Sequence, residues 1–102
     1  MWLLVCLIGT SCSSWHAARL YQDGTAALDQ GDTAQAVHDL EEAARLAPGA
    51  SEVRNHLGLA YWAAGNRSAA RRSFEQAIAL DCENRAARRN LRSISLEQGE
   101  EP

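Results

Sequence analysis

The segment GLAYWAAGNRSAARRSFEQAIALD, Gly58 to Asp81, falls onto GTAALDQGDTAQAVHDLEEAARLA, Gly24 to Ala47, when it is slid back by 34 positions. Gly24 meets Gly58, Ala26 meets Ala60 and Gly31 meets Gly65. Further along, Ala36 meets Ala70, Leu40 meets Phe74, Ala43 meets Ala77 and Leu46 meets Leu80. A lone helical hairpin has no reason to repeat its glycines and packing residues in phase. A fixed period of roughly 20–50 residues marks a stack of units, each burying its apolar face only against its neighbours.

Within each unit the apolar residues recur at helical spacing. Val53, Leu57, Ala60, Tyr61 and Ala64 form one face, and Ala70, Phe74, Ala77 and Ile78 form the next. Val37, Leu40, Ala43 and Ala44 mark the corresponding face of the first unit. Gly31 and Gly65 end helices, because glycine accepts the left-handed conformation that follows a last turn. Asp32 and Asn66 follow as N-caps, Pro48-Gly49 closes the first hairpin, and Ser51 can cap the next helix. These signals predict helices near 15–30, 33–47, 51–64, 67–80 and 85–97. Apolar residues make up 46% of the 102-residue chain, but many are alanine, which favours helix and buries little area. The expected fold is therefore all-α, a solenoid of antiparallel helix hairpins with a thin core.

The second unit resembles the tetratricopeptide repeat (TPR) signature in residue type and spacing: Leu57-Gly58, then Tyr61, Ala70, Phe74 and Ala77. Cys82 stands where that family usually has proline. The first unit keeps Gly24, Ala36, Ala43 and Pro48, but has Asp23 and Ala27 where the family prefers leucine and tyrosine. The resemblance divides residues 13–97 into copies at about 17–50 and 51–84 and a partial copy at 85–97, a capping helix. Residues 98–102 form an acidic tail expected to be frayed. Gly58, Ala70 and Ala77 allow close helix approach, and Phe74 and Tyr61 fill the remaining space.

The N-terminus reads differently. MWLLVCLIG is an uncharged apolar run followed by the small polar TSCSS. It is too short to span a membrane, which takes about 20 residues, and long enough for the apolar core of an export signal. No Lys or Arg precedes it, and the alternative is an N-terminal helix that caps the solenoid. GTSCSS resembles the processing site of bacterial lipoproteins, with Thr10 and Ser11 before Cys12 and Gly9 where a large aliphatic residue is preferred. The resemblance implies an export segment over residues 1–12, lipidation at Cys12 and, with Ser13 following, a place at the periplasmic side of the outer membrane. The alternative location is the cytoplasm, as a soluble adaptor.

Nothing in the sequence assembles an active site. His16, His38 and His56 are scattered, the three cysteines contain no CxxC, and no P-loop, GxSxG or GxGxxG occurs. No enzyme, metal or cofactor is expected. Asp39, Glu41 and Glu42 are expected on an exposed helix side, and Cys82 as an inert, partly buried thiol. By the resemblance, the first helix of each hairpin lines a concave groove that binds a peptide or protein. Its lining would be Tyr21, Thr25 and Leu28, then Glu52, Asn55, Leu59 and Trp62. Trp62 is rotated about 100° from Tyr61 and is expected part-exposed, as a binding hot spot. TPR domains that grip a C-terminal carboxylate use Lys, Asn and Arg; with Tyr21 and Thr25 in place of the first pair, that specificity is not carried over. Arg85, Arg88, Arg89 and Arg92 share one face of the last helix, opposite Ala87, Leu91 and Ile94. That stripe is either the polar outer face of the capping helix or a contact for an anionic surface, acidic partner or nucleic acid. The net charge of −3 and the lack of interleaved aromatics count against nucleic acid. The domain could also extend its stack on a partner.

Overall fold

A computed structural model describes the backbone of residues 2–99 and the side chains of residues 12–99. The described residues form five helices and no strand: α1 (Trp2–Asp29), α2 (Thr33–Leu46), α3 (Ser51–Ala63), α4 (Arg67–Leu80) and α5 (Arg85–Glu97). The first helix begins at Trp2, well before the expected residue 15, so its backbone runs unbroken through the segment read as an export signal. That segment's side chains, other than the exposed Cys12, lie outside the described residues, as do residues 100–102 of the tail. Among the described residues, no helix is long and apolar enough to cross a membrane.

The punctuation follows the local chemistry. Gly31 and Gly65 adopt φ of 80° and 84°, a region that side chains with a Cβ rarely occupy, and each lets the chain turn directly into the next helix. The Asp32 carboxylate then accepts from the Gln35 N–H at 3.2 Å, and the Asn66 amide oxygen from Ala69 N–H at 3.1 Å. Asn84 caps α5 in the same way through Ala87 N–H, a third use of one device. Ser51 departs from expectation. Its hydroxyl donates to the Ala77 carbonyl at 2.7 Å and accepts from Asn84 Nδ2 at 2.8 Å, so it ties α3 to α4 and to the start of α5 instead of capping its own helix.

Two apolar clusters share Tyr61. The first holds Ala27, Ala36, Leu40, Ala43, Ala44, Val53, Leu57 and Ala60 between α1, α2 and α3. The second holds Ala70, Phe74 and Ile94, with Leu59, Tyr61, Trp62 and Leu91 against them. Close approach within each hairpin depends on glycine. A Cβ on Gly24 would lie 2.7 Å from Leu40 Cγ, and one on Gly58 would lie 2.5 Å from Phe74 Cε1. The same approach corrects the reading of Asp39. Gly24 brings α1 down over it, with a hypothetical Cβ 3.2 Å from Asp39 Cβ, so Asp39 is 7% exposed. Gln35 Nε2 donates to its carboxylate at 2.9 Å, which meets the hydrogen-bonding need of a buried polar group. Glu41 is exposed, and Glu42 pairs with Arg45, whose guanidinium holds the Glu42 carboxyl below its ordinary value. Cys82 is exposed in the α4–α5 turn and not partly buried.

Candidate partner-binding face

Each first helix packs on its own second helix, α1 on α2 and α3 on α4, and each second helix packs on the following first helix. The first helices also touch one another in series, α1 with α3 and α3 with α5, whereas α2 and α4 do not meet. A stack closed on one side and splayed on the other curves with its first helices inside, and these helices form one continuous face.

Side chains 35 residues apart join that face. Tyr21 Oη lies 3.2 Å from His56 Nδ1, with the two rings edge to face at 5.1 Å. At the equivalent place between α3 and α5, Asn90 Nδ2 donates to Asn55 Oδ1 at 2.9 Å. Near the far ends of those helices, Trp62 Nε1 donates to Glu97 Oε2 at 3.1 Å. The first joint is partly wet and carries a charge. Burial first, and then the Glu52 carboxylate beside it, raise the Tyr21 hydroxyl to about 12. Thr25 turns its hydroxyl back to the Tyr21 carbonyl.

The expected groove residues therefore differ in what they offer. Glu52 is exposed, while Tyr21, Thr25, Leu28, Leu59 and Trp62 are half-buried on the first-helix face. Tyr21 and Leu28 pack on the first cluster, Leu59 and Trp62 on the second. Asn55 is 4% exposed and bonded to Asn90, so it holds α5 in place and offers little free surface to the depression it lines with Glu52 and His56. Trp62 stands edge to face against Phe74 at 6.1 Å, with its N–H on Glu97. Much of the indole is thus architecture between α3, α4 and α5, and only its remaining edge is open. Sequence reasoning missed His56, which completes the first joint. The signal was available, since His56 precedes Asn90 by one 34-residue period.

The arginine stripe is where the helical spacing puts it. Arg85, Arg88, Arg89 and Arg92 are all exposed and line one shallow surface depression, while Ala87 and Ile94 opposite are fully buried. Among the described residues, no ion pair or side-chain hydrogen bond engages the four guanidiniums. Two arginines of α4 behave differently: Arg67 approaches Glu97 at 3.5 Å, and Arg71 reaches Glu75, Gln98 and Ser95. Cys12 is exposed near the open flank of α1, beside Trp15, His16 and Arg19. No group of His, Cys, Asp and Glu among the described residues could hold a metal ion.

Paired helices with small residues at their crossings, stacked so that the first helices make a shared inner surface, define a helical-repeat interaction module. Two profiles described as tetratricopeptide repeat match the chain, over residues 21–66 and 51–84. The chain belongs to the tetratricopeptide repeat family, and such repeats are modules for contacts with other proteins. It is 42% identical over 77 residues to TPR repeat-containing protein PA4299 of Pseudomonas aeruginosa, covering 76% of this chain and 31% of that protein. It is 40% identical over 65 residues to cellulose synthase operon protein C of Escherichia coli K12, covering 64% of this chain and 6% of that protein. The chain thus spans less than a third of the length of either relative.

Proposed function

We propose that this chain is a non-catalytic interaction or assembly module of the bacterial cell envelope, holding a peptide or partner segment along the shared face of α1, α3 and α5. The observation that carries this reading is the continuity of that face, with the exposed Glu52 between the half-buried Tyr21, Thr25, Leu28, Leu59 and the open edge of Trp62. A surface of apolar side chains around a few polar groups suits an extended or helical segment, with buried aromatics as anchors. The apolar N-terminal run ahead of the exposed Cys12 supports attachment to the envelope by a lipid on that cysteine. The similarity to a part of cellulose synthase operon protein C agrees with an assembly role beside other proteins.

Two measurements test the two halves of this reading. A photo-crosslinking amino acid at Glu52 or Leu59 captures a partner in envelope extracts, while the same probe at the exposed Ala79 of α4 does not. Equal capture from both faces would refute the groove. Labelled palmitate enters the wild-type chain and is lost in Cys12→Ala; a soluble product retaining residues 1–11 would refute the anchor and leave the cytoplasmic adaptor.

A further inference from the structure

The 34-residue period says what the arginine stripe replaces. The buried side of α5, Ala87, Leu91, Ile94 and Ser95, corresponds to Val53, Leu57, Ala60 and Tyr61 of α3, the side that receives the preceding second helix. Arg85, Arg88, Arg89, Arg92 and Leu96 correspond to Ser51, Arg54, Asn55, Gly58 and Trp62. On α3 that set largely faces α4: Ser51 bonds Ala77, Arg54 bonds Gln76, and Gly58 and Trp62 lie against Phe74. The stripe thus occupies the side of α5 on which its own second helix would pack, and no described helix covers it.

That side is not built for an ordinary second helix. Arg92 stands where Gly58 admits the Phe74 ring, so a helix cannot approach α5 as closely as α4 approaches α3. Four guanidiniums in one row with no partner among the described residues call for carboxylates, which arginine binds in a two-point fork. Leu96, 56% exposed one turn beyond Arg92, adds an apolar contact at the end of the row. A row of charge that ends in an apolar side chain matches an amphipathic helix better than a uniform anionic surface.

We infer that α5 docks an acidic amphipathic helix of a partner protein, which takes the second-helix position of the third copy. The occupant runs antiparallel to α5, with carboxylates at i, i+3, i+4 and i+7 toward the arginines and a leucine one turn earlier against Leu96. This surface is separate from the groove of α1, α3 and α5, and Glu52→Arg in that groove leaves it unchanged.

The probe is a synthetic helix-forming peptide with glutamates and leucine at those positions, and its match with glutamine in place of glutamate. Both are titrated onto the full-length chain by fluorescence anisotropy. The glutamate peptide binds at least about tenfold more tightly than the glutamine peptide, a difference of about 1.4 kcal/mol. Its affinity falls by at least as much in Arg88→Glu/Arg92→Glu, a variant whose circular dichroism stays native because both positions are exposed. Leu96→Ser weakens binding further, and raising the ionic strength from about 50 to about 300 mM weakens it too, since exposed pairs are screened. Equal affinity for the two peptides, or binding unchanged in the double variant, would overturn the proposal. So would Arg88- and Arg92-dependent binding to phosphatidylglycerol vesicles without peptide binding, which would make the stripe a membrane contact.

Discussion

The two full hairpins share one plan and fill it differently. In the first, Gly24 faces Leu40, and the places equivalent to Leu57, Tyr61 and Trp62 hold Asp23, Ala27 and Leu28. In the second, Gly58 faces Phe74, which also meets Trp62 edge on, and Tyr61 joins both apolar clusters. The second hairpin has neighbours on both sides, α2 before it and α5 after it. The equivalent outer side of α1 carries the exposed Arg19 and Asp23, which a helix packed there would have to bury. Side-chain size in a repeat therefore follows the number of neighbours a unit must contact. Among the described residues, the copy closest to the family pattern is the one whose first helix is packed on both sides.

The largest test of this asymmetry removes the aromatic. Phe74→Ala should cost about 3–5 kcal/mol, because the ring is fully buried and supports Trp62 as well as Gly58. Leu40→Ala, at the equivalent place, empties a smaller volume and should cost less. Urea unfolding followed by circular dichroism measures both, and a greater loss at Leu40 would break the comparison.

Overpacking comes next. Gly58→Leu should cost about 1–3 kcal/mol, since even a Cβ would sit 2.5 Å from a ring with no room to move. In a double-mutant cycle of Gly58→Ala with Phe74→Leu, the smaller partner should restore part of the loss. Strict additivity would mean that these two residues do not set the helix spacing.

The two joints between first helices sharpen the contrast further. Asn90→Ala leaves the buried Asn55 amide without its partner, at a cost of about 1–3 kcal/mol. His56→Ala removes the partner of a half-buried tyrosine that water can reach, so about 1 kcal/mol or less is expected. Thermal melts of the two variants should rank in that order.

The smallest effect is alkaline. The hydroxyls of Tyr21 and Tyr61 are both raised to about 12, chiefly by burial and then by Glu52 and Glu41 respectively. A raised folded value means that the native state holds these protons more tightly than the unfolded chain. Their contribution is thus complete below about pH 10, the unfolded value, and is lost as pH rises through about 12. The urea midpoint should decline over that window, and Tyr21→Phe with Tyr61→Phe should flatten the decline. An equally steep decline in the double variant would assign the alkaline loss to other groups.

Much of this was legible because it is local and repeated. Glycine at positive φ followed by a side-chain cap needs only a few adjacent residues, so Gly31-Asp32 and Gly65-Asn66 could be read from the chain alone. Residues whose partners lie in another copy were harder to place. Ser51 reads as a cap until the Ala77 carbonyl and the Asn84 amide are brought to it. Asp39 reads as solvated until Gly24 lowers α1 over it. Trp62 reads as a part-exposed aromatic, and only the fold shows that Phe74 and Glu97 also converge on its ring.

The amino-acid sequence by itself determined the period, the helix boundaries after α1, and most of the apolar residues that α2 to α5 bury. Those properties depend on backbone preference and on side-chain spacing within one helix, which residues a few positions apart control. Only the tertiary structure decided which polar residues became joints and which stayed free. Tyr21 with His56 and Asn55 with Asn90 meet because parallel first helices stack one residue out of step with the repeat. Arg67 and Arg71 of α4 find Glu97 and Glu75, whereas the arginines of α5 find no carboxylate among the described residues. Burial and pairing at such positions depend on the angle and distance between helices, and these are set by the whole stack.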